Sequence, residues 1–296
     1  ILLLIIGFFQ GAFLVTFQIS AEALFLNNSP HLLKEAILVS GGLGMLTTAL
    51  FSYLQNKIAF GKLAIGNLLL ILLITGAIYF AYIFSDEVFR DYVIFVMFAM
   101  IGPFTAVILL GFWGVFGRLF NLRQSKRIIG WIDTGQLTAA IIATISIPLL
   151  GRLMPETVNF LGISGVSILL AFFTLLIIVS KNDLDKAEID IGLKEVKGAQ
   201  SKTKVSLFKD NYVWLLSGFP IFSMITFTFI QFSFQNVASL QYPNENDLRN
   251  FLAQFHLGYL LLGFILQTFV NDKIIGVYGL KVALFILPII VGVFTI

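Results

Sequence analysis

Lys181 to Asn211 reads KNDLDKAEIDIGLKEVKGAQSKTKVSLFKDN, and it is the one long stretch of the chain with no apolar run of membrane-crossing length. Seven lysines lie in it, interleaved with aspartate and glutamate. Apolar segments flank it on both sides. Six precede it, at roughly 1–26, 32–55, 63–85, 92–117, 128–150 and 158–180, and three follow, at 212–241, 250–270 and 280–296. An α-helix needs about 20 apolar residues to cross the hydrocarbon core of a bilayer. The gaps hold turn and charge signals such as Asn27-Asn28-Ser29-Pro30, Ser85-Asp86-Glu87 and Tyr242-Pro243-Asn244. The spacing predicts an all-α polytopic membrane protein: a six-helix half at 1–180, a linker at 181–211, and the first three helices of a second half at 212–296. Segments one and seven exceed the bilayer thickness, which implies tilt or extension beyond the lipid.

Composition agrees. The chain is 58% hydrophobic and 12% charged, where a soluble domain is about a quarter charged. It has no cysteine, which excludes disulfides, thiolate metal sites and cysteine nucleophiles. His31 and His256 are its only histidines, too few for a histidine metal cluster. In a soluble protein the pI near 9.0 would point to nucleic acid; in a membrane protein it points to anchoring on the cytoplasmic side.

Charge placement sets the expected orientation. With the N-terminus in the cytoplasm, 15 of the 19 basic residues face inward: Lys57, Lys62, Arg118, Arg123, Lys126, Arg127, the linker lysines, Lys273 and Lys281. Lys34, Arg90, Arg152 and Arg249 face outward, beside Asp86, Glu87, Glu156, Glu245 and Asp247. The positive-inside rule favours this arrangement. The chain starts at Ile1 without methionine and stops at Ile296 inside an apolar run, so it reads as a fragment of a longer protein.

Several spans carry polar stripes. Segment seven has Thr228, Gln231, Gln235 and Ser239 at i, i+3, i+7 and i+11, within about 80° of arc on a helix. Segment eight repeats the spacing with His256, Tyr259, Gly263 and Gln267, and segment five with Asp133, Gln136, Ala140 and Thr144. Segment one carries Gln10, Gln18 and Glu22. Such groups face either neighbouring helices, bonding them together, or a water-filled cavity, because lipid offers no hydrogen bonds. Glu22 either reaches the outer interface or serves as a proton carrier or substrate contact. Asp133 either pairs with Lys126 or Arg127 or lines the site. His256 is solvated or structural. Gln231 and Gln235 are expected to face the gap between the halves near helix one, and Asn236 a neighbouring helix of its own half. Gly111, Gly114 and Gly117 suit close helix packing rather than phosphate binding. No Walker sequence, dinucleotide fingerprint, nucleophile triad or metal motif occurs, so the chain does not read as an enzyme and calls for no cofactor.

An internal echo points to repeated halves. Ser52-Tyr53-Leu54-Gln55-Asn56-Lys57-Ile58 follows span two, and Thr268-Phe269-Val270-Asn271-Asp272-Lys273-Ile274 follows span eight, 216 residues later. With the six-helix count this resembles the major facilitator superfamily, which implies a 6+6 bundle with a cavity between halves, truncated here to about nine helices.

A more specific resemblance is to the ATP/ADP translocase family of plastids and intracellular bacteria. Three stretches carry it: FWGVFGRLFNLRQSKRIIGWIDTGQLTAAI at Phe112–Ile141, FSFQNVASLQYPNENDLRNFLAQFHLGYLLLGFILQTFV at Phe232–Val270, and QISAEALFL at Gln18–Leu26. The resemblance implies membrane transport of nucleotides, with cations on helices one and seven holding phosphates. This chain departs there. Gln18 and Ala21 stand where the relatives carry helix-one arginines, and Gln235 where they carry lysine. Lys126 and Arg127 remain, at the cytoplasmic rim. Losing such cations from a low-dielectric cavity weakens anion binding by several kcal/mol.

The expectation is therefore a secondary transporter using alternating access, related to nucleotide carriers but not an ATP/ADP exchanger. Its solute would be polar or weakly anionic, held by Gln18, Glu22, Gln136, Gln231, Gln235 and Gln267, with Lys126, Arg127 and Asp133 at the rim. The alternative is a membrane scaffold or regulatory module that retains the fold, with protein partners or a fused soluble domain. The expected setting is the lipid bilayer of a bacterial inner membrane, with the N-terminus and linker cytoplasmic and no nucleic-acid partner.

Overall fold

α1 (Leu2–Asn28) is the most buried of the membrane-crossing helices. Its apolar residues run round the helix rather than along one stripe, and a helix of that kind belongs in an interior. From Ile19 to Leu26 every residue is buried. A computed structural model of the chain describes residues 1–182, 211–270 and 282. Ser29 and a short 3₁₀ turn at Pro30–Leu32 lead from α1 into α2 (Leu33–Leu54), with Pro30 where its missing N–H is harmless. α3 (Phe60–Phe84), α4 (Glu87–Ala99), α5 (Ile101–Leu119), α6 (Leu122–Leu150) and α7 (Asn159–Lys181) follow. After the linker come α8 (Asn211–Gln241), α9 (Glu245–Ile265) and a π-helical turn at Leu266–Val270. All regular structure among the described residues is helical, and seven helices are long and apolar enough to cross a membrane. The chain is an integral membrane helical bundle.

The helices cover the apolar segments read from sequence, but α6 and α9 begin earlier, at Leu122 and Glu245, and the fourth segment changes more. The fourth segment starts earlier, at Glu87, and is broken at Met100. Pro103 explains the break: it has no N–H to give the Ala99 carbonyl, and its ring would collide with it. Gly102 takes a different partner, its N–H donating to Ser40 Oγ of α2 at 3.0 Å. The backbones are so close there that a Cβ on Gly102 would collide with the Ser40 carbonyl oxygen. Residues 183–210 of the linker and the ninth segment, residue 282 aside, lie outside the described residues.

α1 packs against α4, α5, α6, α7 and α9, and α8 leans on α1 and α2. α3 packs on α5 and α7, α2 on α4 and α5, and α6 on α9. Two aromatic groups fill the α1–α4–α5 contact: Phe13 and Phe17 with Phe104, and Phe25 with Phe95 and Phe98. α2 and α8 turn apolar side chains such as Met45, Leu46, Phe222 and Phe229 outward, as helices beside lipid do. Of the three glycines in α5, Gly114 is a packing position, since a Cβ there would run into the Phe60 ring. Gly111 and Gly117 have open space instead.

The end of the bundle carrying the Asn28, Ser85, Gly151 and Tyr242 turns is called the distal end below.

Candidate functional site

α9 begins at a built cap. The Asn244 side-chain oxygen accepts from the Asn246 and Asp247 N–H groups, at 2.9 and 3.4 Å, and Glu245 and Asp247 sit in the first turn. Acceptors and negative charge both suit a helix N-terminus. The helix then presents one buried face: Leu248, Arg249, Leu252, Ala253, His256 and Leu260. This 3.6-residue period puts a guanidinium and an imidazole against α1 and α6, the helices that α9 packs on.

Arg249 is 1% exposed. Its Nη1 donates to the Pro155 carbonyl at 3.1 Å and to Thr157 Oγ1 at 3.2 Å, both in the α6–α7 connection. The guanidinium lies 4.9 Å from the Phe160 ring centre and crosses Gly151, where an added Cβ would be 2.5 Å from Nη2. Nε has no partner. Both hydrogen-bond acceptors and the ring it covers are neutral. The side chain therefore ties the start of α9 to the α6–α7 connection across the distal end.

About 10 Å further along α9, at 1.5 Å per residue, His256 meets α1. Its Nε2 is 3.9 Å from Glu22 Oε2, and its Nδ1 is 2.9 Å from the Leu252 carbonyl oxygen. Glu22 is 2% exposed, so the bundle encloses it. Its other oxygen, Oε1, accepts from Gln18 Nε2 at 2.9 Å. The Tyr259 ring centre is 5.1 Å from that of His256. The Gln18–Glu22 spacing of one turn lets a single helix hold both groups ready for α9.

Gln235 is 1% exposed, and its Oε1 has no partner. It shares the buried side of α8 with Ala238, on a helix that leans on α1 and α2. Gln231 is half-buried, Thr228 is exposed, and Asn236 is exposed where a neighbouring helix was expected. On α6, Gln136 is buried beside α1, where a Cβ on Gly11 would lie 2.5 Å from the Gln136 carbonyl oxygen. Thr144 is buried too, its hydroxyl donating to the Ala140 carbonyl at 2.6 Å. The α6 stripe is thus a buried packing face over Gln136–Thr144, set against α1 at Gln136. Gln267 is half-buried in the π-helical turn, about 16 Å along α9 from His256. Lys126, Arg127 and Asp133 lie on α6, and their side chains fall outside those described.

The structure therefore brings Gln18 and Glu22 together with His256, and separates them from Gln136 and Gln267. Two features escape a reading of sequence alone. Arg249 reads as an outer-loop charge, although its spacing to Ala253 and His256 was a signal that it shares their face. Gln10 and Asn67 line a cavity of about 10 Å³ between α1, α3, α5 and α7. Gln10 Oε1 and Asn67 Nδ2 are both buried without partners. An acceptor and a donor around a space of this size suit one water molecule.

No family model, no curated protein and no solved structure matches this chain.

Proposed function

We propose that this chain is a secondary transporter of the alternating-access kind, with the α9 contact on α1 and α6 as the seam that opens and closes. One observation carries the reading: Glu22, Arg249 and His256, three ionisable side chains within or beside membrane-crossing helices, are all buried on that seam. Ionisable groups are costly at such depth and are found where they face a bundle interior or a pathway. In this reading α1–α7 form one half, α8 and α9 begin the other, and Arg249 closes the distal side, which is the outside. The N-terminus and the linker are cytoplasmic, in a bacterial inner membrane. The solute is small and polar or weakly anionic, and contacts Gln18, Gln235 and their neighbours when the seam parts.

Related nucleotide carriers are the suggested kin, but ATP and ADP are not the expected solutes. Gln18 and Gln235 supply amides where phosphates call for cations. Moreover, Gln18 is already bonded to Glu22. Gln18→Arg would place its guanidinium one turn from a carboxylate and be neutralised by it. Phosphate affinity should therefore rise in Gln18→Arg/Gln235→Lys only when Glu22→Gln is added, by roughly 100-fold if two charge-assisted contacts are gained. Isothermal titration with ADP checks this: micromolar ADP binding by the unmutated protein would remove the basis of the argument.

A second reading, a scaffold or regulatory module that keeps the fold without transport, has its own support. The α9 face on the seam is buried along its length, and the cavity beside Gln10, elsewhere in the bundle, has room for a single water. A thermal-shift screen of the full-length protein against nucleotides, phosphates and polar metabolites separates the two. The transporter reading expects a polar solute to raise Tm by several degrees, as any ligand selective for the folded state does. A flat screen favours the scaffold.

A further inference from the structure

We infer that Glu22 and His256 form a proton-binding site across the seam, holding one proton when α1 and α9 are together and releasing it when they part. The inference rests on the reading of that contact as a seam and adds its ligand.

The geometry gives one proton a place between the two side chains. A backbone carbonyl can only accept, so the 2.9 Å contact between His256 Nδ1 and the Leu252 oxygen assigns a hydrogen to Nδ1. In a neutral imidazole with Nδ1 protonated, Nε2 is a bare lone pair. That lone pair faces Glu22 Oε2 at 3.9 Å. An ionised carboxylate is also acceptor-only. Two acceptors facing each other inside a bundle repel, and neither has a solvent route to a donor, since both residues are almost wholly buried. One added proton resolves this, whether on the carboxyl or on the imidazole. Gln18 Nε2 makes its hydrogen bond to Oε1, the other oxygen of the carboxylate.

Few other ionisable groups stand near the pair. Tyr259 is the nearest other ionisable group on α9, and Arg249 lies seven residues outward, turned to the α6–α7 connection. α8 brings the uncharged Gln235. α5 has no ionisable residue before Arg118, α6 none after Asp133, and α7 none before Lys181. Glu87, Arg90, Asp91 and Tyr92 stand at the distal end of α4, beyond the Phe95 and Phe98 that pack on Phe25. Asp133 is about 20 Å down α6, counted from the Gly11–Gln136 contact at 1.5 Å per residue.

The step is balanced by one proton. The closed seam binds it; parting of the helices hydrates both groups and lets it leave to water. Because the closed form binds more protons, low pH favours closure and rising pH favours opening. The closed-to-open ratio should fall by up to about ten-fold per pH unit, the limit for one proton.

The test uses the full-length protein in a bilayer, whose sequence here has no native cysteine. Spin labels at Asn28→Cys and Asn246→Cys, both exposed at the distal end, report the separation of α1 and α9. The short-distance population should fall as pH rises. Glu22→Gln should keep it at every pH, since its amide can donate to the bare Nε2 without a titrating proton. An absent pH response, or the same response in Glu22→Gln and His256→Gln, overturns the proposal. A second readout needs no variant at the pair: ¹⁵N-histidine spectra of His31→Gln protein contain one imidazole from these residues. Finding it neutral with the hydrogen on Nε2 also overturns the proposal. Solute responses that fail while the pH response persists count against transport alone; transport with no pH response counts against the proton site alone.

Discussion

Replacing Arg249 by alanine should unlock the distal side of the bundle. The guanidinium makes two hydrogen bonds to the α6–α7 connection, at 3.1 and 3.2 Å, and covers Phe160 and Gly151. Hydrogen bonds to a charged group contribute about 1.5–3 kcal/mol each, and Arg249→Ala also leaves the Pro155 carbonyl and Thr157 hydroxyl without their donor. A loss of about 3 kcal/mol from the closed state multiplies opening roughly 100-fold. Ala253 is 0% exposed on the same face of α9, so Ala253→Cys is a silent reporter while the seam is shut. Its alkylation rate should rise sharply with Arg249→Ala. Arg249→Lys should recover little, because an ammonium cannot lie flat on Phe160 while reaching two acceptors. Arg249→Met, of similar volume and uncharged, controls for folding. An unchanged alkylation rate in Arg249→Ala would show that the side chain is packing, not a latch.

The second large effect falls on α1, which packs against α4, α5, α6, α7 and α9. Gly11 lets α1 and α6 approach until a Cβ would stand 2.5 Å from the Gln136 carbonyl oxygen. A side chain could rotate away, but that oxygen belongs to the α6 backbone, so the helices themselves must move. Gly11→Ala should cost about 2–3 kcal/mol, at the upper end of ordinary overpacking, and Gly11→Leu should prevent folding. Gly41, in α2, meets nothing within 4 Å of its would-be Cβ. Gly41→Ala should be neutral or slightly stabilising, as alanine favours a helix by up to about 1 kcal/mol over glycine. Thermal unfolding of the two variants side by side checks the contrast; equal shifts would mean that α1 and α6 are not held at this distance.

The helices were legible because membrane-crossing runs are written in composition. The break at Met100 was hidden by the same property: Gly102 and Pro103 are its signal, but the run remains apolar through both. The polar stripes were legible only as far as one helix goes. Periodicity places Gln136 and Thr144 on one face of α6, yet what that face meets depends on Gly7 and Gly11 of another helix. Gln231 and Gln235 share a stripe, but only Gln235 is buried, because α8 bears on α1 and α2 toward its distal end. His256 reads as structural in isolation; its meaning comes from Glu22, 234 positions earlier. Arg249 depends in the same way on Pro155 and Thr157, 94 and 92 positions away. Local patterns carry element and face, while partners arise from packing.

Access to the seam from each side of a sealed membrane is the direct test of alternating access. Ala253→Cys in oriented vesicles, challenged with a membrane-impermeant thiol reagent from either side, should react from both, and a bound solute should shift the balance between them. Reaction from one side only, or from neither, at every pH and with every solute tried, would contradict the account.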